Sequence, residues 1–163
     1  NIFNVNYYGS SDIVYTNFYD STGALYVGGS TSTSYHGSVV QKFLSNGNID
    51  ENFGNLNGTI INSTTGNVRA IAEINGDVYI AGNGKTSNYS IDSSFFISKL
   101  NETGIDTSYA VAGVLGDGIF SIGRKVNGDG LDIYESQTSG HAIVVTGHEI
   151  LDVDAHLSPT IAR

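Results

Sequence analysis

The amino-acid sequence predicts an all-β fold built from short antiparallel strands. Three observations support this prediction: 21 glycines and one proline among 163 residues, ten tyrosines with seven phenylalanines, and repeated alternation of apolar and polar residues. Glycine with Asn and Ser favours tight turns, and aromatic residues favour strands. No window shows the i, i+3, i+4, i+7 spacing of an amphipathic helix. A chain of this length can bury one core.

A motif that ends in small residues recurs along the chain. ALYVGG at 24–29 returns as DVYIAG at 77–82 and, in weaker form, as AIVVTG at 142–147. Each copy follows a turn that contains glycine, so each is predicted to be the second strand of a hairpin. The glycines near the ends of the three copies, Gly28, Gly82 and Gly147, are predicted to correspond.

The strands on either side of this motif are also predicted. The first strands are DIVYTNFY at 12–19, NVRAIAEI at 67–74 and GLDIYES at 130–136. The third strands are SVVQKFL at 38–44 and SFFISKL at 94–100. The last unit offers only DAHLSPTIAR at 154–163, in which Pro159 favours an edge strand or a chain exit.

The sequence therefore contains three units of about 55 residues, at 12–56, 67–112 and 118–163. A single small sheet would leave one face in water, so neighbouring units must stack and share a core. Small sheets that pack radially are propeller blades, and we predict a propeller-like repeat domain of three antiparallel blades within residues 1–163. Closed propellers have more blades, so this one is incomplete, is completed by further copies, or is an open wedge of sheets. The chain has no Met, and we expect it to be a fragment of a larger protein.

A second motif repeats after the third strands. It reads KFLSNGNIDENFG at 42–54 and KLNETGIDTSYA at 99–110: a turn, then Ile-Asp, then an aromatic residue. The isoleucine and the aromatic residue are predicted to return to the core. Asp50 and Asp106 are predicted to bond backbone N–H groups two or three residues further on, which is a structural role and not a catalytic one.

These motifs resemble the delta-60 repeat, a β-propeller-like repeat of large bacterial secreted or surface proteins. The resemblance covers residues 12–115 and is carried by NGNIDENFG, VRAIAEINGDVYIAG and FFISKLNETGID. It implies an architecture and an extracellular or cell-surface location, and it implies no chemistry.

Charge and composition exclude several partners. Sixteen acidic residues against seven Lys and Arg give a net charge of −9, which repels nucleic-acid phosphates and anionic lipid heads. We therefore expect neither nucleic acid nor membrane insertion. The chain has no cysteine, so it can form neither disulfides nor a thiolate metal site.

No catalytic motif stands out, and we predict that the protein is not an enzyme. The sequence lacks GxSxG, HExxH, the P-loop and the Rossmann fingerprint. Sixteen acidic residues allow many carboxylate pairs for glycoside hydrolysis, but nothing selects one pair. Because such a pair is available, an alternative interpretation is that the chain is part of a carbohydrate-active enzyme.

One segment is a candidate metal site, although no cofactor is otherwise expected. In NGDGLD, Asn127, Asp129 and Asp132 offer oxygen ligands between glycines, as loops for Ca²⁺ do. The alternative is a glycine-rich hairpin turn. A second candidate is HEILDVDAH at 148–156, in which His148, Asp152, Asp154 and His156 would share one face of a strand and could bind a divalent ion. An exposed outer strand explains that pattern equally well.

The loops after the VGG and IAG strands carry the candidate ligand site. They hold Tyr35 and Tyr89 at corresponding positions, with His36 and Asn88 beside them. Tyrosine offers a flat apolar face and a hydroxyl, and its polar neighbours add hydrogen bonds, which suits a glycan or a protein surface. In the alternative, both tyrosines only fill the pleat near a strand end.

Together these features predict non-catalytic recognition or adhesion. We expect a carbohydrate-binding or protein-binding adhesin domain of a cell-surface, fibre-like protein, placed for example at a fibre tip. A homotrimer would cover exposed sheet edges and multiply weak sites. The main alternative is a structural spacer or stalk segment without a ligand.

Overall fold

A computed structural model describes residues 12–31, 37–62, 65–85, 93–109, 118–136, 142–150 and 157–162. These residues form eleven strands and no helix, which confirms the all-β prediction. Accordingly, no helix in these ranges is long and apolar enough to cross a membrane. The strands are β1 Asp12–Tyr19, β2 Leu25–Thr31, β3 Gly37–Phe43, β4 Thr59–Asn62, β5 Asn67–Ile74, β6 Asp77–Lys85, β7 Ser93–Asn101, β8 Gly104–Ile105, β9 Ile119–Ser136, β10 Ala142–Ile150 and β11 Leu157–Ala162.

The strands form two antiparallel four-stranded sheets with the same order. The first sheet is β1-β2-β3-β4. The second sheet is β5, β6, β7 and the first part of β9, with the short β8 paired to the end of β7. The rest of β9 pairs with β10, and β10 pairs with β11, so these strands continue the second sheet into a seven-stranded one. The described strands do not form a closed propeller.

Most predicted strands are found where the sequence placed them. β1 and β5 have the predicted bounds, 12–19 and 67–74. Pro159 lies in β11, which pairs only with β10 at the edge of its sheet, as predicted. The predicted first strand of the third unit, 130–136, is wrong as a separate element, because it is the end of one continuous strand from 119 to 136.

The interpretation of NGDGLD as a hairpin turn is also wrong. This segment lies inside β9, where the register against β10 shifts between the pairs Asp132 with Thr146 and Asn127 with His148. The backbone therefore continues through the glycines and does not reverse. The side chains of Asn127, Asp129 and Asp132 lie outside the described part of the structure, as does the segment 151–156.

A β-bulge marks the same position in both sheets. The β1–β2 register shifts after Val14, opposite Gly29, and the β5–β6 register shifts after Val68, opposite Gly82. A side chain on either glycine would collide with a backbone carbonyl of the neighbouring strand, so both positions need glycine. Gly29, and not Gly28 as predicted, is therefore the counterpart of Gly82.

The two sheets pack face to face and share one core. The first sheet contributes Ala24, Tyr26, Val40, Phe53 and Ile60, and the second contributes Val68, Ile71, Ile80, Phe96 and Leu100. Gly28 lets the sheets approach closely, because a Cβ there would lie 2.7 Å from Cγ1 of Val68. Both sheets thus bury a face that neither could bury alone.

The opposite face of the second sheet is buried too. Its apolar residues form a second cluster that includes Ile133, from the later part of β9. The other members of this cluster are Ala70, Ile74, Tyr79, Ala81 and Ile97. β9 therefore leaves the edge of the second sheet and packs a side chain back onto its face.

Candidate functional site

The stacked sheets have two distinct ends, which we call the turn end and the loop end. At the turn end lie the β1–β2 turn at 20–24 and the β5–β6 turn at 75–76. At the loop end, β2 and β6 finish at Thr31 and Lys85, and β3 and β7 begin at 37 and 93. The intervening segments, 32–36 and 86–92, contain the candidate ligand-binding residues.

Contacts between the sheets show that like ends lie together. At the turn end, the backbone N–H and the hydroxyl of Ser21 donate to the carboxylate of Glu73, at 2.6 and 2.7 Å. Nearer the loop end, Gly28 packs against Val68 and Ile71. The two chain segments that precede β3 and β7 therefore start from the same end of the stack.

Hydrogen bonds fix the turn end. Oδ1 of Asp20 accepts from the N–H and hydroxyl of Thr22, at 2.9 and 2.7 Å, and from the N–H of Ala24 at 2.9 Å. Partial burial works to raise the pKa of Asp20, but these hydrogen bonds outweigh it, and its pKa is lowered below the ordinary value. Asp20 thus stays ionised and stabilises the turn.

The loop end has a rigid base. The hydroxyls of Ser38, at the start of β3, and Thr65, between the sheets, form a buried hydrogen bond. The N–H of Ser38 also donates to the carbonyl oxygen of Thr65, at 3.2 Å. Across the β1 and β5 edges, the guanidinium of Arg69 stacks on the ring of Tyr15, 3.6 Å from its centroid. The sequence analysis did not find this cation–π pair, because it joins residues of two different sheets.

The aspartates of the repeated turn after β3 and β7 have the predicted structural role, whereas Ile49, which was predicted to return to the core, is 40 % exposed. The N–H of Asn52 donates to Oδ1 of Asp50 at 3.3 Å, and that of Ser108 donates to Oδ1 of Asp106 at 2.9 Å. The hydroxyl of Ser108 adds a 2.6 Å bond, and these bonds lower the pKa of Asp106. Both aspartates therefore act as turn caps, as the sequence predicted.

The aromatic residue of each turn stacks on the tyrosine of the second strand. Tyr26 and Phe53 meet edge to face at 5.6 Å, and Tyr79 and Tyr109 do so at 5.7 Å. Nζ of Lys42 lies 5.6 Å from the Tyr26 ring centroid and forms a 2.9 Å ion pair with Asp50. Burial has the largest single effect and works to lower the pKa of Lys42, but the hydrogen bond and charge of Asp50 together with the interaction with Tyr26 outweigh it, so the pKa of Lys42 is raised.

The predicted ligand-binding residues Tyr35, His36, Asn88 and Tyr89 lie outside the described residues. The structure describes the strands that flank them, and these strands meet the two segments at the same end of the stack. In the described ranges, no group of three or more His, Asp or Glu side chains could hold a metal ion. The candidate calcium ligands on β9 stay a prediction.

The chain matches no protein-family model, curated protein or solved structure at a significant level.

Proposed function

We propose that this protein is a non-catalytic recognition domain of an extracellular or bacterial cell-surface protein. It binds a glycan or a protein surface at the loop end of its stacked sheets. One observation carries the proposal: β2 and β6 finish, and β3 and β7 begin, at the same end of two sheets that share a core, so segments 32–36 and 86–92 both leave from that end. Loops on one end of a rigid repeat scaffold are a common place for binding sites.

The proposal includes a propeller-like arrangement in which three sheets of the delta-60 type stack as blades. It is supported by the matching strand order and bulges of the first two sheets. It is further supported by Ile133, which packs on the far face of the second sheet, where a third blade would lie. In this arrangement each unit contributes one loop to the same end.

The ligand contacts in this proposal are Tyr35, His36, Asn88 and Tyr89. Two tyrosines on neighbouring loops offer two stacking faces, and the histidine and asparagine supply hydrogen bonds. The net charge of −9 disfavours sulfated or phosphorylated ligands, since a long-range field of like sign repels them. We therefore expect a neutral glycan or a basic protein surface.

A binding assay with matched tyrosine variants tests this function. The double variant Tyr35→Ala/Tyr89→Ala should lose binding on an array of neutral glycans and on host-cell surfaces. The control is Tyr19→Ala, because Tyr19 is 60 % exposed and ends β1 at the turn end. It should bind like the unsubstituted protein, and thermal melting should be the same for all three. No binding by the unsubstituted protein would favour a spacer role, and equal loss of binding in the control would refute the tyrosine site at the loop end.

A further inference from the structure

Two connections join the successive sheets of the chain, and they are built differently. The first runs from the end of β4 at Asn62 to the start of β5 at Asn67, and these two strands belong to different sheets. Thr65 lies in this connection and is 0 % exposed. Its hydroxyl and its carbonyl oxygen are both hydrogen-bonded to Ser38, on β3. The first connection is therefore anchored to the first sheet.

The second connection is itself part of a strand. β9 runs from Ile119 to Ser136. Its beginning pairs with β7, as far as Lys125, and its later part pairs with β10, from Val126 onwards. One strand thus completes the second sheet and also starts the set of strands that β10 and β11 continue.

β9 contains extra residues close to the point where its partner changes. From Asn127 to Asp132 it advances by five residues, whereas β10 advances by two between their partners, His148 and Thr146. The three extra residues fall within 128–131, which reads Gly-Asp-Gly-Leu. Extra residues bend a strand, and glycines are common at such bends. We call residues 128–131 the hinge.

The strand changes direction across the hinge. Before the hinge, β9 lies beside β7 at the edge of the second sheet. After it, Ile133 is 5 % exposed and packs on the face of that sheet. Ile133 pairs with Val145 as Ile71 pairs with Ile80, and Ile71 packs on the first sheet at Gly28. The contact that Ile133 makes therefore repeats the contact between the first two sheets.

We propose that two copies of this chain exchange the strands that follow the hinge. With the hinge straightened, the 18 residues of β9 form one strand about 60 Å long. This strand carries β10 and β11 away from their own second sheet, and Ile133 of each copy packs on the second sheet of the other copy. Each half of the dimer keeps the contacts of the monomer, so the exchange needs no new surface.

The buried contacts determine where the exchange takes place and how slowly it proceeds. The first connection is a poor place for exchange, because Thr65 ties it to Ser38. Exchange at β9 requires the buried Ile133 to leave the second sheet, so folded monomer and folded dimer should interconvert slowly. The dimer should form mainly when chains fold at high concentration, because neighbouring chains then compete for the same uncovered sheet.

Molar mass after refolding tests the proposal. The protein is unfolded in urea, refolded over a series of concentrations and measured by light scattering. The dimer share should rise with the refolding concentration and should persist when the folded sample is diluted. Two copies with different affinity tags should form mixed dimers when they are refolded together, and not when their folded dimers are mixed. A dimer held by surface contacts would exchange its subunits in both cases.

Changes in the length of the hinge give matched variants. Deletion of residues 128–130 removes the extra residues, so β9 cannot turn onto the second sheet, and the monomer–dimer equilibrium should shift towards dimer by about tenfold or more. Insertion of Gly-Ser-Gly after Gly130 lengthens the hinge and should lower the dimer share. The same insertion after Gly66, in the first connection, should leave the dimer share unchanged. Circular dichroism checks that every variant keeps its β-structure.

Two results would overturn the proposal. One is a monomer after refolding at every concentration. The other is a dimer whose share does not depend on the length of the hinge, or whose subunits exchange without unfolding.

Discussion

Phe96 tests whether the two sheets share a core that stabilises the whole domain. Its side chain is 0 % exposed and lies on β7 in the cluster between the sheets. Replacing it with alanine removes a ring and leaves a cavity, a change that costs about 3–5 kcal/mol at fully buried sites. For a domain of this size, one kcal/mol shifts the melting temperature by about 2–4 °C. Phe96→Ala should therefore melt about 10 °C lower than the unsubstituted protein.

The assay is thermal and urea unfolding followed by circular dichroism, with Tyr19→Ala as the control. Tyr19 is 60 % exposed, so its replacement should change the free energy of unfolding by less than about 0.5 kcal/mol. Both sheets should unfold in one transition, since the core belongs to both. A loss below about 1 kcal/mol for Phe96→Ala, or separate transitions for the two sheets, would refute the shared core.

Three further predictions concern the turns, the bulges and the loop end. Gly82→Ala should lower the free energy of unfolding by about 1–3 kcal/mol, because its Cβ would collide with the Asn67 carbonyl. Gly76 has open space around it but a positive φ, so Gly76→Ala should lower the free energy of unfolding by only about 1 kcal/mol. Urea unfolding measures both changes. Thr65→Val should leave the buried Ser38 hydroxyl without its partner and cost about 1–3 kcal/mol in the same assay. The pKa of Asp20 is lower in the folded protein than in the unfolded chain. The stability that ionised Asp20 contributes is therefore fully present above the unfolded pKa and is lost as pH falls through the folded pKa. In Asp20→Asn, the free energy of unfolding should fall less steeply as the solution is acidified.

The sequence was a good guide to the strands because alternation and turn residues are local signals. β1 and β5 have the predicted bounds, and the Ile-Asp turns cap as predicted. The fourth strand of each sheet was missed. β4 has only four residues, and β9 follows a glycine-rich stretch, so each is defined by its pairing with β3 or β7 and not by its own pattern.

The candidate site was predictable in position but not in detail. Once the repeat is recognised, loops at corresponding positions of two units are expected to lie at the same end of the stacked sheets. The packing of Gly28 on Val68 supports that inference. The pair formed by Arg69 and Tyr15 gave no signal, because no local pattern reports a contact between different sheets. Val14 is 48 % exposed and Val68 is 0 % exposed. The sequence could not predict this difference in burial, since both residues are valines at the same place in their repeats.

The unbroken course of β9 has a mechanical consequence. One end of this strand is bonded side by side to β7, and the other end is bonded to β10. A force applied along the strand axis would load many of these backbone hydrogen bonds at the same time, in shear. It would not break them one after another. Force applied to the second sheet is therefore transmitted to β10 through one continuous strand, β9.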